Sequence, residues 1–139
     1  MDIRRINDRI SVTPQITATD VTQAAGQGYR AIICNRPDAE EAGQPGSRDI
    51  AEAAAAAGLE FRYLPLAPGR LTPELIADFG AALAELPGPV LAYCRSGTRS
   101  ATLWALSQSG QLEPAEILRL AAGAGYDLGG IAGALADPR

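Results

Sequence analysis

The chain predicts an α/β protein built on one open, mainly parallel sheet flanked by helices. Two observations carry this. Short apolar runs of strand length alternate with stretches of helical periodicity, in the rough order β-β-α-β-α-β-α-β-α-α-α. One of those runs, Pro89 to Ala92, leads straight into a polar loop, Tyr93-Cys94-Arg95-Ser96-Gly97-Thr98-Arg99-Ser100, and then a helix. In an open α/β sheet the carboxyl ends of the strands are where a site belongs. A length of 139 residues, with no internal repeat and no linker, favours one domain over 1–139.

The elements follow in order. Ile10 to Thr13 is a short strand. Thr19 to Gln27 reads as a helix, with Thr19 as its N-cap and Gly28 closing it. Arg30 to Cys34 is apolar enough to be a buried parallel strand. Asn35 to Gly46 is a loop punctuated by Pro37, Gly43 and Pro45. Ser47 to Ala57 is a helix ended by Gly58, and Leu59 to Leu64 alternates as a strand. Thr72-Pro73 opens the next helix as an N-cap followed by proline at the first helical position. Leu75, Ile76, Phe79 and Leu83 share one face of it, and Pro87-Gly88-Pro89 breaks it. Val90 to Tyr93 is the central strand, and Ser100 to Ser109 the helix leaving the loop, with Trp104 in the core. Pro114 to Ala122 and Leu128 to Ala136 read as two further short helices.

Composition narrows the chemistry. All 12 basic residues are Arg, and there is no His. A Schiff-base lysine, a Ser-His-Asp triad and a His-ligated metal are therefore excluded, and two cysteines alone do not complete a zinc site. No cofactor is expected. The net charge of −4 argues against nucleic acid as a partner. No apolar run reaches the length of a membrane span, so no membrane partner is expected. Met1 to Arg5 lacks a signal-peptide apolar region, which makes a cytoplasmic location with reduced cysteines the expectation.

What remains is nucleophilic catalysis by Cys94. A cysteine attacks only as the thiolate, and a free thiol titrates too high for neutral pH. A loop that wraps Arg95, Ser96, Gly97 and Thr98 around the sulfur turns backbone N–H groups inward as a nest. The following helix adds its positive end, and Arg99 adds a permanent charge. Gly97 permits the tight curl. The Ser100 hydroxyl is placed to donate to the thiolate or to cap the helix. Everything that activates the thiolate in this arrangement also binds a tetrahedral oxyanion or a terminal persulfide sulfur.

The motif Cys-Arg-Ser-Gly-Thr-Arg-Ser resembles the active loop of single-domain rhodaneses, whose loop has the six-residue span of Cys94 to Arg99. Cysteine phosphatases carry a loop one residue longer. Ile10-Ser11-Val12 with Pro14-Gln15, then Asn35-Arg36-Pro37-Asp38 with Glu40-Glu41, then the Cys94 loop with Ala101 to Trp104 form a set. In that order they resemble the phosphatase-like domain of the beta-lactamase-hydrolase-like proteins. The resemblance runs from about Ile3 to beyond Trp104 and implies a cysteine-phosphatase-like fold similar to dual-specificity phosphatases. It also implies an activity described both as phosphatase-like and as sulfur transfer. The chain after about Gly110 carries no assignment from it.

Sulfur transfer is the favoured expectation. Cys94 would take the outer sulfur of thiosulfate or a low-molecular-weight persulfide and pass it to a thiol or cyanide. Arg95 would steer the anionic donor. A phosphatase of dual-specificity type is the alternative. It needs an acid for the leaving oxygen, which the family places on an upstream loop. The corresponding stretch here, Glu60 to Leu71, has no Asp, and Tyr93 stands where that family has His. Asp38 is the substitute acid candidate, while Glu40 and Glu41 read as a solvated acidic loop. A non-enzymatic persulfide sensor is a third class. Cys34 ends a strand that belongs beside the central one, so a sulfur link to Cys94 is conceivable; the plainer reading is a buried strand residue. Arg36 either adds positive potential beside the pocket or pairs with Asp38.

Overall fold

The computed structural model describes residues 1–138; Arg139, the end of the expected domain, lies outside the described residues. Five strands form one sheet: β1 (Arg4–Arg5), β2 (Ile10–Thr13), β3 (Ala31–Cys34), β4 (Glu60–Tyr63) and β5 (Val90–Tyr93). Their order across the sheet is β1-β2-β5-β3-β4. All neighbours are parallel except the edge pair β1–β2. The helices are α1 (Ala18–Gly26), α2 (Ser47–Ala56), α3 (Pro73–Glu85), α4 (Thr98–Ser107) and α5 (Pro114–Gly123). Among the described residues, no helix is long and apolar enough to cross a membrane.

The last strand in sequence is thus inserted at the centre of the sheet. Val90 to Tyr93 pairs residue for residue with Ile10 to Thr13 on one side and Ala31 to Cys34 on the other. Burial on both faces explains why these strands read as continuous apolar runs. Alternation still sorts their side chains. Ala31, Ile33, Val90 and Ala92 face a large core with Phe79 and Leu83 of α3, Leu103 and Trp104 of α4, and Ile117 of α5. Ile32, Cys34 and Tyr93 face a smaller cluster with Val21 of α1 and with Ile50 and Ala54 of α2. Helices therefore cover both sides, and β5 ends in the crevice between them.

Several boundaries differ from the sequence expectation. Helix α1 begins one residue earlier, because Thr17 rather than Thr19 is the N-cap. Its side chain accepts from Asp20 N–H while the Asp20 carboxylate accepts from Thr17 N–H, a reciprocal capping box. The helix after the Cys94 loop begins at Thr98 instead of Ser100, and its cap is Gly97. The stretch expected as a final helix over Leu128 to Ala136 is a 3₁₀ helix, Gly129–Ala134, whose glycines disfavour an α-helix. Thr72 and Pro73 open α3 as expected, with the Thr72 hydroxyl accepting from Leu75 N–H at 3.1 Å.

Trp104 is fully buried in the larger core. Trp104→Ala should lower unfolding free energy by about 3–5 kcal/mol through lost apolar burial and a residual cavity. Chemical denaturation checks this; the midpoint should fall with little change in slope.

Candidate active site

Cys94 is the residue immediately after β5, where the strand gives way to the loop entering α4. Its sulfur is buried and accepts a hydrogen bond from Gly97 N–H at 3.1 Å. That curl requires a backbone turn through the left-handed region, and Gly97 has φ 92°. A side chain there would also collide with the Tyr126 hydroxyl. The first turn of α4 directs its free N–H groups back toward the same loop. Ser96 and Thr98 lie on the exposed rim, joined through their hydroxyls at 3.1 Å, and Thr98 N–H turns to Ser96 Oγ at 3.4 Å.

The charge around the sulfur comes from two loops. Arg99 donates to both carboxylate oxygens of Glu40, at 2.7 and 2.8 Å, and to the Leu66 carbonyl at 2.7 Å. Glu40 also accepts from Arg36 Nε at 3.0 Å. Arg36, only 3% exposed, reaches on to Gln15 Oε1 at 3.0 Å and Glu41 at 3.3 Å. Arg95 stands at the mouth, 3.6 Å from Glu41 and well exposed. Three arginines facing two glutamates leave one net positive charge in this cluster, of which Arg99 interacts with Cys94. Arg99 bonds hold the Glu40 carboxyl down at about 2, with Arg36 assisting against partial burial.

Several sequence expectations change here. Ser100 is not the thiolate's partner: its single hydroxyl proton is donated to Asn35 Oδ1 at 2.8 Å, which pins α4 to the end of β3. Arg36 is structural, as the pairing alternative held, but with Glu40, Glu41 and Gln15 and not with Asp38. Asp38 instead caps α2, accepting from Ser47 N–H and from Ser47 Oγ, each at 2.7 Å. Both of its oxygens are thereby committed, which removes it as a free acid. Glu40 is no solvated loop residue but the bridge between two arginines. Cys34 and Cys94 are both free thiols. The Cys34 side chain lies in the smaller cluster, donates to the Arg36 carbonyl at 3.3 Å, and has its titration pushed up by burial. That is the buried strand residue of the plainer reading.

Sequence reasoning missed Asn35 and Tyr126 as members of the site, and it read Glu40 as a solvated loop residue in preference to a stand-in acid. Tyr126 donates to the Ser96 carbonyl at 3.1 Å from beyond α5. A Glu in the loop after a strand was visible in the sequence; its partner 59 residues away was not.

Comparison with known proteins agrees with this architecture. Residues 2–111 match the family described as beta-lactamase hydrolase-like protein, phosphatase-like domain. A beta-lactamase hydrolase-like protein of Agrobacterium fabrum is 36% identical over 126 residues, covering 89% of this chain and 29% of that protein. The chain thus spans under a third of the curated relatives it matches. A crystal structure of a candidate phosphatase from Neisseria meningitidis superposes with TM-score 0.85 at 33% identity, covering 96% of this chain and 95% of the other. The catalytic core of the Saccharomyces cerevisiae PP-IP phosphatase Siw14 shares the fold, with TM-score 0.68 at 10% identity over 95% of this chain and 81% of that one. The fold is cysteine-phosphatase-like.

The Glu40 bridge gives a signed prediction. A carboxyl held at about 2 in the folded chain, against an ordinary 4.5, contributes stability that is complete above about 4.5. The contribution is lost as pH falls through about 2. Glu40→Gln should be less stable than the parent at neutral pH, with the gap closing across that acid window. Thermal unfolding at a series of pH values checks it.

Proposed function

The chain belongs to the phosphatase-like domain family of beta-lactamase hydrolase-like proteins, and from that premise we propose that it is a cysteine-dependent phosphatase. Its substrate would be a phosphate ester or anhydride whose leaving group departs without a proton from the protein. The observation that carries the reading is the Gly97 N–H aimed at the Cys94 sulfur at the end of the central strand. A thiolate held by a preorganised donor is also placed to accept a tetrahedral anion in the same loop.

The chemistry runs in two steps. The Cys94 thiolate attacks phosphorus; an S–P bond forms as the P–O bond breaks, and the departing oxygen takes the electron pair. Water then cleaves the S–P bond, releasing inorganic phosphate and a proton and restoring the thiolate. The positive surplus of Arg36, Arg95 and Arg99 over Glu40 and Glu41 favours the anion in both steps.

The restriction on the leaving group follows from the carboxylates. Asp38 is committed to capping α2, and Glu40 is ionised between two arginines at neutral pH. Without a protonated acid, an alkoxide leaves poorly, whereas an aryl oxide, a carboxylate or a phosphate leaves readily.

Sulfur transfer, favoured by the sequence alone, is now the second reading, because the family and the Neisseria structure are described as phosphatase-like. Two observations still favour it: the six-residue span from Cys94 to Arg99, and chemistry that needs no acid. In that reading thiosulfate or a small persulfide donates sulfur to Cys94, and a thiol or cyanide removes it.

One preparation separates the two. Release of phosphate from an aryl phosphate, and thiocyanate formation from thiosulfate and cyanide, are measured side by side with Cys94→Ser as control. The proposal expects aryl phosphate hydrolysis well above alkyl phosphate hydrolysis, reduced at least about a hundredfold in Cys94→Ser. Thiocyanate formation without phosphate release would sink it.

A further inference from the structure

The peptide unit joining Ser96 to Gly97 is held on both sides. Its N–H donates to Cys94 Sγ at 3.1 Å, and its carbonyl accepts from the Tyr126 hydroxyl at 3.1 Å. In a trans peptide these two groups point in opposite directions, so fixing one fixes the aim of the other. Hydrogen bonds in series also polarise one another, and a donor on the carbonyl makes the N–H a stronger donor.

Tyr126 reaches the loop from a segment that the family match, residues 2–111, does not include. It follows α5, where Gly125 turns the chain at φ 96° and Tyr126 N–H bonds back to the Ala121 carbonyl at 2.9 Å. The ring is nearly buried. Arg4 of β1 places its guanidinium carbon 5.9 Å from the ring centroid and donates to the Ala124 carbonyl at 3.4 Å. Burial pushes the phenol titration up, so the hydroxyl keeps its proton at neutral pH and donates. Gly97 has no side chain where the hydroxyl lies, so the ring and the loop are fitted to each other.

We propose that Tyr126 is a positioning residue for the nucleophile: through the Ser96–Gly97 peptide, its hydroxyl aims and polarises the N–H that holds the Cys94 thiolate. The C-terminal segment thereby sets the reactivity of a cysteine at the end of the central strand. This rests on Cys94 being the nucleophile, as proposed above, whichever group it transfers.

Tyr126→Phe removes one hydroxyl and keeps the ring. The test is alkylation of Cys94 by iodoacetamide in the full chain carrying Cys34→Ser. Rates are taken at about pH 7 and at about pH 10, where an ordinary thiol is fully ionised. The ratio of the two rates reads the thiolate fraction and is internal to each folded sample; circular dichroism follows the fold. Tyr126→Phe should lower the ratio about three- to tenfold, the effect of weakening a charge-assisted hydrogen bond. Its rate at the higher pH should be unchanged. An unchanged ratio overturns the inference, and so does an equal loss at both pH values, which would report altered access. If the parent's ratio is no higher than that of free cysteine, the nucleophile reading itself fails. A parent that is activated, with Tyr126→Phe activated to the same degree, sinks the Tyr126 role alone.

Discussion

Glu40 is the point on which the site closes. A guanidinium as deeply buried as that of Arg36 is stable only when paired, because an uncompensated charge in the interior is expensive. Its partners are all in loops: Gln15 after β2, and Glu40 and Glu41 after β3. Glu40 then extends the pairing across the crevice to Arg99 in the first turn of α4. The three connections at the carboxyl ends of β2, β3 and β5 are thus tied together through Arg36 and the Glu40 carboxylate. Arg99 is held in a forked, charge-assisted geometry that a loose surface pair would not provide.

The sheet order makes that closure possible. Inserting β5 between β2 and β3 brings the loops after all three strands to one place, though they lie far apart along the chain. Gln15 N–H bonds to the Arg95 carbonyl at 3.3 Å, Asn35 N–H to the Tyr93 carbonyl at 2.8 Å, and Ser100 Oγ to Asn35 Oδ1. Gln15 thus fixes the loop from the β2 side, and Asn35 fixes it twice from the β3 side. Committing so many polar groups to holding the loop has a chemical consequence. Ser100, Asp38 and Glu40 are engaged in structure, so the candidate site is left with the Cys94 sulfur, backbone N–H groups and arginine charge.

The same sharing of roles explains which parts of the molecule could be read in advance. Strands β2, β3 and β5 were legible because burial on both faces writes a continuous apolar run, whereas the exposed pair Arg4–Arg5 that forms β1 carries no such signal. The loop around Cys94 was legible because its residues are adjacent in sequence and its curl is local. The N-cap of α1 was misplaced although Thr17 and Asp20 carry the spacing of a capping box, since two threonines compete at that end. The final segment was read as a further short helix over Leu128 to Ala136 but forms a 3₁₀ helix over Gly129–Ala134, because its three glycines weaken the α form. Asp38 passed for a free acid because its partner, the start of α2, is set by how the loop folds back.

The sequence by itself determined the fold class, the candidate nucleophile, the length of its loop and the absence of histidine, of lysine and of an aspartate between Glu60 and Leu71. These are matters of residue type and local spacing. Only the tertiary structure decided what each polar group does. Glu40 and Arg99 are 59 residues apart, Asn35 and Ser100 are 65 apart, and Ser96 and Tyr126 are 30 apart. No periodicity encodes such pairs. They exist because strand insertion and the packing of α4 and α5 bring distant loops within hydrogen-bonding distance, and a buried polar group takes the partner that packing supplies.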